Sequence, residues 1–399
     1  MIPEVTTVKP LKVHLLRITS NFPPEYHGGA GNHILELAQH IDPYLQDQVV
    51  IAPHCGKKCI EYDKQLNIQV IRVKSLVLWD RYKIPLPKVI INGLSFFWAL
   101  TKRNKPDIIH THGISTNAVG VLLGKLWRVP VVTMLHGSQG VNSKAEGIYE
   151  TILALLFPPD QAIILDDGTG AVEKFNKLWR NRTTTVYHAI DESCFKPMEK
   201  NAELLATLGI KSDTFVILST SRLTRWKNVD YAIEVFKIFL ETNKCSSAIL
   251  LVAGEGDLKE NLVNLVSNLS LQQNVKFVGS VPFMEMPKFL SIADIVISTS
   301  VYSNMGRNIQ EAMACGKPII SFNTPGMDKV IQNMDNGILV TPGNLEEFAR
   351  MISLLQDHPE VALKIGQKGC EFIKKERSWN SRVQQELNVY ESIMNKKGF

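Results

Sequence analysis

STSVYSNMGRNIQEAMACGKPIISFN, residues Ser298–Asn323, is the stretch from which the fold of this chain can be worked out. An apolar segment at 292–297 precedes it and predicts a buried strand. Helical periodicity begins at Asn308, and Gly316, with a proline two residues later, predicts where the helix ends. The segment Ile319–Phe322 then predicts another strand. The stretch therefore predicts a parallel β-α-β unit whose polar loop opens at the carboxyl end of a strand, where ligands bind in open α/β sheets.

The predicted helix carries one carboxylate, Glu311, next to a loop suited to anions. Unpaired N–H groups and the helix dipole favour negative charge at a helix N-terminus. A carboxylate there indicates a ligand with both phosphate and vicinal hydroxyls, because a carboxylate accepts strong hydrogen bonds from a ribose diol. The alternative is that Glu311 is an ordinary solvated helix residue.

Both halves of the chain alternate short apolar strands with amphipathic helices. Such alternation predicts parallel sheets covered by helices on both faces. We therefore expect an α/β protein with two Rossmann-like, doubly wound domains facing each other across a cleft. The expected boundaries are residues 1–197 for an N-terminal domain, 198–375 for a C-terminal domain, and 376–399 for a helical tail that packs back on the surface.

Composition limits the functional classes. A length of 399 residues exceeds what one core usually serves. The net charge of +5 is far from that of a nucleic-acid-binding protein, so no nucleic-acid partner is expected. The six cysteines lack zinc-type spacing, which predicts free thiols and no metal site.

No signal-type segment or long apolar run occurs in the sequence, so a cytoplasmic protein is expected. Residues 74–105 interleave basic, aromatic and apolar side chains. Such a segment either packs on a neighbouring domain or contacts an anionic membrane. If it contacts a membrane, we expect peripheral contact with the inner face of the cell membrane.

Histidines follow two predicted strands of the first half. His136 ends one strand and leads into a polar loop, while His110 and His112 end another. A histidine at a strand end can bind a hydroxyl or carry a proton, although a buried structural histidine is the alternative. The turn after the first strand contains Gly28, Gly29 and Gly31, and glycine allows a backbone to approach a ligand closely.

In the second half, Arg222 and Lys227 follow the first strand of the domain. Their loop should meet the Ser298–Arg307 loop, because both leave carboxyl ends of strands in one sheet. An arginine fork, a lysine point charge and a helix N-terminus together suit a diphosphate. Because carboxylates do not cluster there, these cations would replace a divalent ion and stabilise a leaving diphosphate. Alternatively, they are solvated surface charges.

These residues resemble the group 1, family-4-like retaining glycosyltransferases, which have the GT-B fold. In the second half the resemblance runs in family order through SRLTRWKN, VAGEGD, FVGSV, ADIVISTS, EAMACGKPII, NTPG and NGILV. In the first half it is looser and rests on HGGAGNHILELA, PDIIHTHG, the strand ending in His136, and YHAIDESCFKP.

The resemblance implies an acceptor-side domain at residues 1–197, a nucleotide-sugar-binding domain at residues 198–375, and a role for each matching residue. Arg222 and Lys227 would bind the donor diphosphate, Glu311 the ribose hydroxyls, and His136 the donor sugar. The backbone near the helix N-terminus would bind the diphosphate and sugar, and the glycine turn the diphosphate or acceptor. Residues near Val281 would frame a base, either uracil or guanine. The implied helix-terminus residues are Asn304, Met305, Gly306, Arg307 and Asn308.

The sequence departs from the family pattern at single positions and in the segment SNMGRN, which replaces a more apolar glycine-rich turn. Ser303 replaces the first of the two glutamates of the signature, and Lys329 replaces a common acidic residue. His188 and Ala189 stand where Asn-Gly is common.

The leading hypothesis is a metal-independent hexosyltransferase that uses a nucleoside-diphosphate sugar as substrate and no cofactor. Its acceptor would be a glycan or a lipid-linked glycan in polysaccharide, glycolipid or other glycoconjugate synthesis. The alternatives are a catalytically impaired nucleotide-sugar-binding subunit and a nucleotide-sugar epimerase on the same fold.

Overall fold

The computed structural model describes residues 8–24, 29–53, 56–73, 105–136, 144–166, 170–180, 182–242, 247–301 and 306–397. Contacts divide the chain into two compact units. The first comprises Met1–His188 and Trp379–Phe399, and the second comprises Ala189–Ser378. The division falls after His188 rather than after residue 197, and the C-terminal helix belongs to the first unit instead of forming a separate tail. The helix does so because its apolar face is buried there, at Val383, Leu387 and Ile393.

Every strand pair within each sheet is parallel. The strands in chain order are β1 His14–Thr19, β2 Asp47–Pro53, β3 Gln69–Val73, β4 Ile108–His112, β5 Val131–Leu135, β6 Gln161–Leu165, β7 Thr183–Val186, β8 Phe215–Thr220, β9 Ala248–Ala253, β10 Val275–Gly279, β11 Ile295–Ser298, β12 Ile319–Phe322 and β13 Ile338–Val340. The first sheet has the order β3-β2-β1-β4-β5-β6-β7, and the second has the order β10-β9-β8-β11-β12-β13.

Helices connect these strands. In chain order they are α1 Gly29–Ile41, α2 Lys57–Asp63, α3 Ile114–Trp127, α4 Lys144–Leu156, α5 Ala171–Leu178, α6 Ala202–Thr207, α7 Val229–Thr242, α8 Lys259–Asn268, α9 Met286–Ile292, α10 Arg307–Ala314, α11 Leu345–Asp357, α12 Pro359–Glu376 and α13 Trp379–Lys397. Short 3₁₀ turns include Arg225–Lys227 and Phe283–Glu285.

Each sheet reverses its winding direction once. The reversal lies between β1 and β4 in the first sheet, and between β8 and β11 in the second. Loops that leave the carboxyl ends of such a strand pair diverge and leave a crevice, which is the usual ligand site of doubly wound folds. The predicted fold class, two doubly wound parallel α/β sheets, is therefore confirmed for each unit.

A continuous apolar run in the second sheet accounts for a strand buried on both faces. In β9, AILLVA, every residue is buried, as expected for a parallel strand covered on both faces. Its side chains pack with Phe236 and Phe239 of α7 and with Phe322 of β12 in one core. This core fixes β8 and β11, and so fixes the starting points of the two loops at the winding reversal.

Three local features differ from the sequence-based expectation. Helix α1 begins at Gly29, so Gly29 and Gly31 lie in its first turn rather than in a loop. Residues Lys57–Asp63 form α2, a helix that the sequence analysis does not predict. Cys59 is disulfide-bonded, so the expectation of free thiols is wrong for this residue, because spacing along the chain does not report which sulfurs meet.

Among the residues that the structure describes, no helix combines the length and apolar character needed to cross a membrane. Nor do three or more His, Cys, Asp or Glu side chains in these ranges gather as metal ligands. Metal independence and a cytoplasmic location stay predictions. Several expectations fall outside the described residues, namely the segment 74–104, Gly28, Ser303, Asn304 and Met305.

Candidate active site

The loops that follow β8 and β11 are bonded to each other at the winding reversal of the second sheet. The Thr299 hydroxyl donates to the backbone carbonyl of Asn228 at 2.7 Å. The Ser300 hydroxyl donates to the carbonyl of Trp226 at 3.1 Å. The loop carrying Arg222 and Lys227 therefore lies against the loop leading to α10, as the sequence predicted for two loops at one sheet edge.

The N-terminus of α10 is tied to the end of β8. The Asn308 amide donates to the backbone carbonyl of Thr220 and lies 3.3 Å from its hydroxyl. Gly306 precedes the helix with φ of 35°, in the left-handed region. This φ strains any residue with a side chain, so the entry to α10 favours glycine. The first turn of α10 is thus placed beside the β8 loop.

Two glycines of the VAGEGD motif support the β8 loop from behind. A Cβ at Gly254 would lie 1.9 Å from the carbonyl oxygen of Ser221, and one at Gly256 would lie 2.4 Å from that of Leu223. The loop is also bonded through Leu223 N–H to the carbonyl of Glu255 at 3.0 Å. These contacts require glycine and give the backbone around Arg222 a fixed position.

Arg222 and Lys227 are close enough to influence each other. Burial, and secondly the Arg222 guanidinium, lower the pKa of Lys227 from its usual value. Arg222 is exposed, whereas Lys227 is partly buried. Two cations that destabilise each other in the absence of an anion form a site where a diphosphate would relieve the repulsion.

The Glu311 carboxylate is paired with Arg307, whose side chain the sequence analysis did not connect with Glu311. Arg307 Nε donates to Glu311 Oε1 at 3.0 Å, and the exposed fractions of the two side chains are 21% and 12%. The Arg307 guanidinium also lies 5.5 Å from the ring centre of Phe283, in the turn after β10. The spacing of four residues on one helix is the signal that could have indicated this pair. Arg307 orients the carboxylate and links it to the loop that carries Val281.

Val281 lies between the end of β10 and the turn Phe283–Glu285, and it is partly buried. This position follows the carboxyl end of β10. Its assignment to a nucleotide base stays a prediction, as do the roles of the other site residues.

In the first unit, His136 follows β5 and stands at the end of a chain of buried donors and acceptors. His136 Nε2 lies 3.3 Å from His112 Nδ1. His112 Nε2 lies 3.0 Å from Arg17 Nη1. His33, from α1, meets the His136 ring edge to face with 5.7 Å between centres. His188, one of the departures from the family pattern, meets His33 similarly at 5.2 Å.

His110 stacks on the His112 ring with 4.6 Å between ring centres, and its Nδ1 points toward α13. Its Nδ1 lies 2.6 Å from the Tyr390 hydroxyl and 3.1 Å from Glu386 Oε1. Arg382 Nη2 bonds Glu386 Oε2 at 2.6 Å, and these side chains are at most 2% exposed. For His110 the buried structural alternative is therefore the one observed.

The side chains packed against these histidines determine their charge. Burial lowers the pKa of His110 to about 4 despite Glu386 beside it. Burial, then Arg382 and His110, lower the pKa of His136 to about 3. Burial, then His110 and Arg17, lower the pKa of His112 well below its usual value. All three are neutral at neutral pH.

This neutrality predicts a pH-dependent stability. The unfolded chain binds protons at these histidines below about pH 6.5, whereas the folded chain does not until about pH 4 or below. The free energy of unfolding should therefore fall as pH drops from about 7 to about 5, by up to about 1.4 kcal/mol per pH unit for each histidine. Urea unfolding at several pH values measures this. His110→Gln should flatten the slope, and His358→Gln, which removes an exposed imidazole, is the matched control. Equal urea midpoints of the wild-type protein at about pH 7 and about pH 5 would contradict the conclusion that these three histidines are neutral in the folded chain.

Comparison with known proteins agrees with the site. The model described as glycosyl transferases group 1 matches residues 200–372, and the model described as glycosyltransferase family 4 matches residues 27–164. The chain belongs to the group 1 glycosyltransferases and has the GT-B fold.

Two named relatives and a solved structure support this assignment. The chain is 24% identical over 288 residues to UDP-Gal:alpha-D-GlcNAc-diphosphoundecaprenol alpha-1,3-galactosyltransferase of Escherichia coli, covering 70% of this chain and 73% of that protein. It is 25% identical over 301 residues to N-acetyl-alpha-D-glucosaminyl L-malate synthase of Bacillus anthracis, covering 74% and 77%. The crystal structure of Anabaena HepE in complex with UDP superposes with a TM-score of 0.75 at 20% identity, covering 96% of this chain and all (100%) of that one.

Proposed function

We propose that this glycosyltransferase transfers a hexose from a nucleoside-diphosphate sugar to an acceptor hydroxyl, with retention of anomeric configuration and without a metal ion. The observation that carries the proposal is the bonded junction of the β8 and β11 loops. It places two cations and a helix N-terminus at one winding reversal. The UDP bound to Anabaena HepE, a fold relative, supports the nucleotide class.

In this proposal the second unit holds the leaving group. Arg222, Lys227 and the backbone N–H groups at Gly306–Asn308 bind the pyrophosphate, and Glu311 accepts hydrogen bonds from the ribose hydroxyls. Residues near Val281 frame the base. As the anomeric C–O bond breaks, negative charge grows on the β-phosphate, and fixed positive groups there stabilise the transition state more than the ground state.

The transfer step needs no base from the protein, because the departing phosphate takes up the acceptor proton. The acceptor oxygen forms a bond to the anomeric carbon on the face from which the diphosphate departs. The acceptor proton passes to an oxygen of the departing β-phosphate, and the nucleoside diphosphate is released. Retention follows from attack on that face. Supporting this route, Glu311 is occupied by Arg307 in the described part of the site and so is poorly placed to act as a base.

The proposed acceptor is a glycan or lipid-linked glycan in polysaccharide, glycolipid or other glycoconjugate synthesis. The Escherichia coli relative supports this class, because its name specifies a diphosphoundecaprenol-linked substrate. The protein is proposed to act in the cytoplasm.

We also propose peripheral contact with an anionic membrane. Besides the segment 74–105, six large apolar side chains of the adjoining helices α3 and α4 are exposed: Leu122, Leu126, Ile148, Ile152, Leu155 and Leu156. Apolar surface next to basic residues favours anionic interfaces. Flotation with phosphatidylglycerol vesicles should recover the protein, and Ile152→Glu should reduce recovery. Leu363→Glu, at an exposed leucine of the second unit, is the control. Equal flotation of both variants would contradict this contact.

A donor panel tests the reaction. Thermal shift against uridine and guanosine diphosphates and their sugars should identify a stabilising base, because ligands of the native state raise its melting temperature. With the matching donor and an acceptor extract, NMR of the product should show the anomeric configuration of the donor. An inverted product would contradict retention.

The same panel separates the alternative functions. Binding without transfer or donor hydrolysis, over a broad set of donors and acceptors, would favour an impaired binding subunit. Release of an epimerised sugar in the absence of acceptor would favour an epimerase.

A further inference from the structure

Contacts run from Arg17 through His112 to His136. Which atoms donate and which accept along this chain follows from Arg17. A guanidinium is always a donor, since arginine does not lose its proton in proteins. Arg17 Nη1 therefore donates to His112 Nε2, 3.0 Å away, and that nitrogen must be the acceptor. A neutral imidazole then carries its proton on the other nitrogen. His112 Nδ1 is thus the donor toward His136 Nε2 at 3.3 Å.

The same step repeats at His136. Its Nε2 accepts, so its proton lies on Nδ1. Within the described residues, His136 Nδ1 is buried and makes no hydrogen bond. A buried N–H without a partner is costly, so such a group in a protein needs an explanation, such as a role in binding or catalysis.

Arg17 is held in place from two sides. Its Nε donates to Gln48 Oε1 at 3.4 Å. The Gln48 amide nitrogen donates to the Ala38 carbonyl and to Asp42, so the Gln48 oxygen is left to face Arg17. Glu386 of α13 lies 3.8 Å from Arg17 Nη1 and balances its charge, with both side chains fully buried. These contacts hold the guanidinium with Nη1 toward His112.

We propose that Arg17, acting through His112, fixes His136 as the tautomer protonated on Nδ1, so that His136 serves as a hydrogen-bond donor to a substrate oxygen and not as a base. Arg17 and His112 are positioning residues in this arrangement. The hydrogen bond from His136 to a substrate oxygen rests on the proposed function, whereas the tautomer of His136 does not. A donor at this position suits a sugar hydroxyl or a phosphate oxygen, both of which accept hydrogen bonds.

The tautomer can be measured directly. In a long-range ¹H–¹⁵N spectrum of the full chain labelled at its ten histidines, loss of one pattern in His136→Gln assigns His136. At neutral pH the wild-type pattern should show a protonated Nδ1 and an unprotonated Nε2. A protonated Nε2, or a doubly protonated ring, would overturn the proposal.

Two variants of similar size test the positioning role. His112→Asn keeps an amide donor near the position of Nδ1, whereas His112→Leu removes it. His136 should stay protonated on Nδ1 in the asparagine variant and shift toward Nε2 protonation in the leucine variant. The turnover number of the leucine variant should be about tenfold below that of the asparagine variant, the effect of losing one well-placed hydrogen bond. The Michaelis constant should change less.

Substituting Arg17 itself is a weaker test, because removing a buried charge that faces Glu386 can unfold the unit. Equal His136 tautomers in the two His112 variants would overturn the positioning role. If the wild-type protein transfers no sugar from any donor, the proposed function fails, while the spectrum still decides the tautomer.

Discussion

Replacing Arg222 by alanine is expected to reduce kcat/KM for sugar transfer by about 10²–10³-fold, with little change in stability. The loss is that of one fixed positive group facing a leaving pyrophosphate. Lys227→Ala should have a comparable effect, because its lowered pKa indicates that it is poised beside Arg222 and not solvated freely. Arg222 is exposed, so its replacement should change the free energy of unfolding by no more than about 0.5 kcal/mol. Initial rates and thermal unfolding of each variant provide the two measurements.

The chain offers a matched control for this loss. Arg225 is an exposed arginine in the same turn as Lys227. Arg225→Ala removes an equal charge a short distance away, so it tests whether general surface charge explains the effect. It should retain most of the activity. Wild-type turnover in both Arg222→Ala and Lys227→Ala would show that these cations do not meet the diphosphate.

Replacing Glu311 by glutamine is expected to lower kcat/KM by about 10–100-fold. The amide keeps the shape but loses the charge that strengthens hydrogen bonds from the ribose hydroxyls, which are worth about 1.5–3 kcal/mol when charge-assisted. Most of the change should appear in KM, because the ribose contacts are the same in the ground and transition states.

A modified donor makes this expectation specific to the ribose. Wild-type protein should prefer the ribose donor to its 2′-deoxy and 3′-deoxy analogues, and Glu311→Gln should lose much of that preference. Glu346→Gln, at an exposed glutamate of α11, is the control. Arg307→Ala should weaken the same preference, because Arg307 orients the carboxylate at 3.0 Å. An undiminished preference in Glu311→Gln would contradict the ribose assignment.

The second sheet was the most predictable part of the molecule. The strand, loop and helix of Ser298–Asn323 could be identified from apolar runs and from Gly316, and β12 matches its predicted bounds. Buried parallel strands and helix ends are local in sequence, so local patterns indicate them. The meeting of the β8 and β11 loops also followed, since topology alone brings the carboxyl ends of adjacent parallel strands together.

The contact chain of the first unit could not be predicted in this way. Arg17 and His112 are 95 residues apart, and His110 and Tyr390 are 280 apart. No local pattern pairs such residues. The one signal was an arginine inside the apolar strand VHLLRI, because a charge there requires a buried partner. The partner, Glu386, lies in a C-terminal helix whose charged composition suggested a surface tail.

The most direct test of the account is a crystal structure with the nucleoside diphosphate that the thermal-shift panel selects. We predict that its pyrophosphate lies within hydrogen-bond distance of Arg222, Lys227 and the backbone N–H groups that begin α10, with the ribose hydroxyls on Glu311. A pyrophosphate bound elsewhere, with these three side chains facing solvent, would contradict it.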